Sequence, residues 1–225
     1  MDNLGSEYLV NNSVFVENNK AEIIGTVIST PVFSHEVYDE TFYLFTLEVP
    51  RLSEVNDNIQ VTISEKLMAA VPITKGITVS IKGQFRSYNN FSNIGNKLVL
   101  TVFVKDIEII ESISEETNPN SIYLKGYICK PPIYRTTPFG REITDILLAV
   151  NRSYNKSDYI PCIAWGRNAK YASTLNVGDS VSIKGRIQSR NYQKKISEDE
   201  VEDKTAYEIS VSKITINKPT EYAIN

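Results

Sequence analysis

Between Ser121 and Lys195 the chain sets 13 Lys and Arg against only 4 Asp and Glu. Large rings are threaded among the cations: Arg152, Tyr154, Lys156 and Tyr159 come first, then Trp165 and Arg167, then Lys184, Arg186, Arg190 and Tyr192. These residue types define a chemistry. Guanidinium and ammonium groups bind phosphate or carboxylate, and an exposed ring accepts the flat face of another π system. Catalytic arrangements are missing from the pattern. The chain has one histidine, His35, and two cysteines, Cys129 and Cys162, so there is no CxxC pair, no Cys/His set at metal spacing and no disulfide framework. Lys82-Gly83 and Lys184-Gly185 lie in no GxxxxGK[ST] run, and Asp39, Glu40, Glu142 and Asp145 follow no DxD or HExxH order. The residues therefore point to a binding surface, with no enzyme, cofactor or metal.

The elements that must position these groups can be read from composition and repetition. With 225 residues, 41% hydrophobic and 23% charged, the chain can bury one large core or two small ones. It has no apolar run of about 18 residues and no basic start followed by an apolar stretch, so the expected setting is soluble and cytoplasmic. The net charge of −3 hides a division. Residues 1–117 carry 8 Lys and Arg against 16 Asp and Glu, whereas residues 118–225 carry 16 against 11. A positive module beside an acidic one favours a polyanionic ligand, although a solvated basic face without a partner has the same charge count.

The division coincides with a repeat. Gly25 to Phe33 aligns with Gly126 to Tyr134, and Leu47, Val49 and Arg51 align with Leu148, Val150 and Arg152. One residue further out of step, Val79-Ser-Ile-Lys-Gly83 matches Val181-Ser-Ile-Lys-Gly185. Runs of period 2 rich in Val, Ile, Tyr, Phe and Thr predict strands near 21–30, 41–50, 58–63, 77–88 and 97–110. Their counterparts fall near 121–129, 142–151, 158–165, 180–192 and 205–216. A short helix is predicted between the third and fourth strand of each copy, at Glu65 to Val71 with Ser64 as N-cap and at Asn168 to Leu175, with Gly76 and Gly178 turning the chain afterwards. The expected fold class is all-β, as two tandem OB-folds, five-stranded Greek-key barrels that commonly bind oligonucleotides or oligosaccharides. The expected organisation is an N-terminal extension 1–20, a first, acidic barrel 21–111, a linker 112–120, a second, basic barrel 121–217 and a tail 218–225.

Alternation sorts each strand into inner and outer sets. In the second copy, Val181, Ile183, Gly185 and Ile187 are predicted inward, leaving Lys184, Arg186, Gln188, Arg190 and Tyr192 outward. Ile160, Cys162 and Ala164 are predicted inward, leaving Tyr159, Pro161, Ile163 and Trp165 outward. Rings stack on any base while Lys and Arg follow the phosphates, so this face suits single-stranded nucleic acid with little sequence preference. The equivalent third strand of the first copy shows Asn58, Gln60, Thr62 and Ser64, which hydrogen-bond but do not stack. Its Phe33, Tyr38, Phe42, Tyr43 and Phe45 are assigned to core and rim. Glu198 to Asp203 is read as a solvated acidic loop, and both cysteines as small buried hydrophobes within strands.

From Ile122 to Ile216 the second copy resembles the bacterial single-stranded-DNA-binding protein family. The likeness rests on Gly126, Pro132 and Arg135 with Thr137-Pro-Phe-Gly140, then Leu148-Ala-Val-Asn-Arg152, Cys162-Ile-Ala-Trp-Gly-Arg-Asn-Ala169, Val177-Gly178 and Gly185-Arg-Ile-Gln-Ser-Arg190. The resemblance implies base stacking by Tyr154, Tyr159, Trp165 and Tyr192, DNA contacts by Arg167 and Arg190, and roles in replication, recombination or repair. It also implies four barrels per assembly, which two per chain would reach as a homodimer. The chain ends Lys218-Pro-Thr-Glu-Tyr-Ala-Ile-Asn225 and not in the family's acidic tip, so the resemblance does not extend to tail-mediated recruitment, and replication and repair proteins stay open as partners. Two other readings fit the same residues: an adaptor whose main ligand is another protein, supported by the acidic first copy, and a binder of RNA as well as DNA, since stacking is blind to the 2′-hydroxyl.

Overall fold

A computed structural model describes residues 18–51, 53, 55–89, 98–114, 117–153, 155–195 and 201–217. The first barrel comprises β1 (Asn19–Val27), β2 (Val32–Val37), β3 (Glu40–Pro50), β4 (Asn56–Ser64), α1 (Glu65–Ala70), β5 (Thr78–Asn89) and β6 (Leu98–Ile110). The second repeats this order as β7 (Asn120–Ile128), β8 (Ile133–Thr136), β9 (Glu142–Asn151), β10 (Ser157–Trp165), α2 (Arg167–Ala172), β11 (Ser180–Lys195) and β12 (Val201–Ile216). In each copy the first long strand meets both the second and the fourth. The third joins the fifth in parallel, and the ring closes as an OB-fold.

Alternation accounts for the strands: β1 buries every second residue from Asn19 to Val27, and Ile23, Leu47, Ile59, Val61 and Ile81 are almost fully enclosed. Closure needs close backbone approach. A Cβ on Gly126 would meet the Ala149 carbonyl, and one on Gly185, beside the β-bulge at Lys184/Gly185, would meet that of Ser210. Gly76 and Gly178 hold positive φ values of 97° and 94° where the chain reverses after each helix. Ser64 caps α1 through its Oγ, which accepts from Leu67 N.

The differences from the expected elements have physical causes. β2 and β8 were not anticipated, because each is a short outermost strand with little or no burial and hence no period-2 signal. β11 runs on to Lys195 and β12 begins at Val201, since the two strands continue to pair with each other beyond the core. Glu202 and Asp203 are consequently strand residues instead of loop, and Glu198 to Glu200 lie outside the described residues. α2 starts one residue early and ends at Ala172, anchored by buried Ala169 and Ala172 and by Thr144 Oγ1, which donates to Ala169 O at 2.8 Å. Cys162 is buried, but Cys129 sits half-buried one residue past β7.

The barrels share one sheet. β1 and β7 pair antiparallel from Asn19↔Leu124 to Ile23↔Asn120, and a single apolar cluster continues through both copies. The buried carboxamide of Asn19 exchanges two hydrogen bonds with the backbone of Phe85 (2.7 and 2.9 Å), and Asn120 does the same with Ile187 (2.7 and 2.9 Å). Two fully buried carboxylates then cross between barrels. Asp57 Oδ1 of β4 accepts from Ser189 N of β11 at 2.7 Å, and Asp158 Oδ1 of β10 accepts from Ser87 N of β5 at 2.7 Å.

These two carboxylates are secured unequally. Asp57 also receives both Nε and Nη2 of Arg51 (2.7 and 2.6 Å) and Nη1 of Arg186 at 3.0 Å. Asp158 Oδ2 has no hydrogen-bond donor, and the nearest cation, Arg152 Nε, is 3.5 Å away. Burial raises the Asp158 pKa, and the Ser87 amide, Arg152 and Arg86 only partly oppose it.

Two predictions follow from this seam. Asp57→Ala strands Arg51 and Arg186 without their counter-charge, and should cost about 3–5 kcal/mol in urea unfolding. Because Asp158 binds its proton more readily folded than unfolded, its contribution to stability is largest at low pH and declines as pH rises through the folded value. Stability relative to Asp158→Asn should therefore increase as pH falls from neutral toward the ordinary aspartate range; a constant difference would contradict the raised pKa.

Candidate nucleic-acid interface

The register of β9, β10, β12 and β11 places one set of side chains on a common outer face. Ile163 of β10 lies beside Ser210 of β12, which faces Arg186 of β11. By alternation Tyr159 and Trp165 share the side of Ile163, while Gln188, Arg190 and Tyr192 share that of Arg186. Tyr159 is 49% exposed, whereas Trp165 and Tyr192 are half-buried. Tyr159 and Trp165 stand six residues apart on one strand, about 20 Å at the usual rise. The exposed Arg190 guanidinium lies 5.8 Å from the Tyr192 ring centroid, within cation–π reach. Tyr154 lies outside the described residues.

The cations divide into free and committed groups. Arg167 is exposed at the first position of α2, immediately after Trp165-Gly166. Lys156 is exposed in the β9–β10 turn, where Arg152 N donates to its carbonyl at 2.7 Å. Arg186 and Arg152 are drawn into the seam by Asp57 and Asp158. Lys184 is exposed, but across the bulge its neighbours are Lys213 and Tyr123, so it joins a different part of the barrel. Two residues predicted outward are in fact covered: Ile163 is 5% and Gln188 8% exposed. Gln188 Nε2 donates to Glu208 at 2.6 Å and its Oε1 accepts from Arg186 at 3.1 Å, so a polar network fills the middle of the face. The register also adds Arg135 of β8, which sequence reasoning matched to a family segment without assigning it a contact. It forms a two-point pair with Asp145 (2.6 and 3.1 Å), opposite Ile163.

The first barrel corrects another expectation. Its β4 lacks rings, yet the same face carries them on neighbouring strands. His35 stacks on Phe42 at 5.0 Å, Phe42 meets Phe103 at 5.4 Å, His35 approaches Tyr88 at 6.1 Å, and the Arg86 guanidinium lies 3.8 Å above Phe103. Phe42 occupies the position equivalent to Ile143, the cross-strand partner of Trp165, so the aromatic has moved one strand over. These rings are engaged with one another, and burial lowers the His35 pKa. Phe45 is core, but Phe33 and Tyr38 are 63% and 99% exposed on the β2–β3 hairpin instead of packing as rim. Tyr38 has its counterpart in Phe139, 92% exposed at the tip of the β8–β9 hairpin.

The chain is thus two joined OB-folds, the second of which sets spaced rings and exposed cations on one sheet face. Residues 119–217 match the model of the single-strand binding protein family. Single-stranded DNA-binding protein 1 of Staphylococcus aureus is 37% identical over 81 residues, 33% of this chain and 48% of the relative. Single-stranded DNA-binding protein A of Bacillus subtilis is 36% identical over 81 residues, 33% of this chain and 47% of the relative. The chain thus spans about half the length of the curated relatives it matches. The single-stranded DNA binding protein of Thermus aquaticus superposes with a TM-score of 0.71 at 18% identity, covering 89% of this chain and 93% of that one, a likeness of fold that extends over both barrels.

Proposed function

We propose that this protein coats and protects single-stranded DNA with little sequence preference, in replication, recombination or repair, without catalysing a reaction. The observation that carries this reading is the shared face of Tyr159, Trp165 and Tyr192, with Arg190 beside the Tyr192 ring and exposed Arg167 two residues after Trp165. The similarity of the second barrel to proteins named for single-stranded DNA binding supports it. Bases stack on the rings whatever their identity, and the free cations neutralise phosphates along the way. Arg152, Lys156, Lys184 and Arg186 contribute to the positive field; Arg152 and Arg186 do so from the seam. Tyr154 is assigned a stacking role on the family resemblance alone. The proposed setting is the cytoplasm, with a homodimer presenting four barrels; among the described residues no helix is long and apolar enough to cross a membrane.

The mutual packing of rings in the first barrel favours a second role there, as an acidic module that contacts another protein while the basic barrel holds the strand.

Trp165 is the sole tryptophan, so its fluorescence reports the face directly. Titration with poly-dT should quench it, and affinity should fall with salt at a logarithmic slope of about −0.7 per phosphate neutralised. Unchanged fluorescence together with no mobility shift at low salt would remove the reading, and parallel titrations with rU and duplex oligomers test its selectivity. Trp165→Ala, Tyr159→Ala and Tyr192→Ala should each weaken dT binding by about 1–3 kcal/mol while leaving the salt slope nearly unchanged. Near-neutral effects would place the strand on another face.

A further inference from the structure

We propose that Ser87, in the first barrel, is a positioning residue for the stacking ring Tyr159 in the second, so that the single-strand site is assembled by both barrels. This rests on the reading of the Tyr159–Trp165 face as a single-strand site.

The second barrel has a gap along one edge of β10. Among the described residues β10 pairs with β12 only from Cys162 to Ala164, so at Asp158 and Tyr159 no described strand of its own barrel pairs with this edge of β10. Ser87 fills the gap. Its Oγ accepts from Tyr159 N at 2.8 Å, its N–H donates to Asp158 Oδ1 at 2.7 Å, and its Oγ also approaches Asp158 Oδ1 at 3.4 Å. Ser87 is only 5% exposed, so water does not readily take its place. A side chain from one barrel thus completes the edge of the other at the peptide carrying the most exposed of the three described rings.

The mirror arrangement shows which side bears on binding. Ser189 serves the first barrel in the same way: its Oγ accepts from Asn58 N at 3.0 Å and its N–H donates to Asp57. Asn58 stands where Tyr159 stands in the second copy and offers no ring. Asp57, moreover, is held by Arg51 and Arg186, whereas Asp158 Oδ2 lacks any hydrogen-bond donor. The Tyr159 end of the seam accordingly depends on Ser87 to a degree that its counterpart does not depend on Ser189. Without the Ser87 hydroxyl the Tyr159 amide loses its acceptor, and the 158–159 peptide, with the ring it directs, is free to turn away from the line to Trp165.

The test is a double-mutant cycle in the full chain, read as affinity for a dT oligomer. Ser87→Ala should weaken binding by about threefold to thirtyfold, bounded by the loss of one stacked base. Its effect should almost vanish in a Tyr159→Ala background, because the two changes remove the same contact. The salt slope should stay constant, since no phosphate contact is lost, and Ser87→Thr, which keeps the hydroxyl, should restore most of the affinity. Equal effects of Ser87→Ala with and without Tyr159, or none in the wild type, would overturn the proposal. If Ser87→Ala does not fold, Ser87→Cys is used in the same cycle with the same criterion. Failure of the wild-type chain to bind dT would instead overturn the reading of the face, so the two failures are distinguishable.

Discussion

Two buried carboxylates accepting backbone N–H groups from the opposite barrel are the constraint on which the rest of the arrangement depends. A carboxylate removed from water demands hydrogen-bond donors, and each oxygen left without one raises the cost of keeping the group ionised. Asp57 and Asp158 therefore fix where β11 and β5 must lie. Once those strands are placed, the β1–β7 pairing and the paired bonds of Asn19 and Asn120 leave the barrels little relative freedom. The outer face of the second barrel inherits its rigidity from this seam, and two of its arginines, Arg152 and Arg186, are drawn toward the seam carboxylates.

The repeat preserves the scaffold while redistributing the chemistry. Ser87 and Ser189 are equivalent, as are Asp57 and Asp158 and the two asparagines. On the outer faces the same residue types occur in altered order. Arg86 hydrogen-bonds Gln84 two residues before it, whereas Arg186 hydrogen-bonds Gln188 two residues after it. In one barrel the guanidinium covers Phe103; in the other it turns to Asp57. The rings move likewise, from β10 in the second copy to β3 and β6 in the first, where they pack on each other.

Much of this was legible in the sequence because inward and outward residues alternate so regularly. The ten long strands, the two helices and the Ser64 cap followed from periodicity and local chemistry. β2 and β8 did not, because short strands with little burial leave no alternation. The committed roles of Arg152 and Arg186 were hidden for a different reason: their partners lie about 130 residues away for Arg186 and across a turn for Arg152, and charge counts cannot distinguish a guanidinium aimed at solvent from one beside a buried aspartate. The signal that could have exposed the seam was present, since the repeat that aligned Arg51 with Arg152 aligns Asp57 with Asp158 and Ser87 with Ser189. Identical small polar residues retained in both copies inside apolar strands mark a shared structural duty. The ring cluster of the first barrel is invisible to a strand-by-strand alignment of the copies, because the aromatic sits on a neighbouring strand of the same face.

The seam joins two parts of one polypeptide, which changes what dilution can do to it. Separate subunits meeting through such a junction would part as their concentration fell, and each would have to match an identical mate. Here the covalent connection supplies a constant effective concentration, so the union is independent of how much protein is present. Each side of the junction needs to complement only its opposite number, and that frees the halves to acquire opposite charges and unlike surfaces.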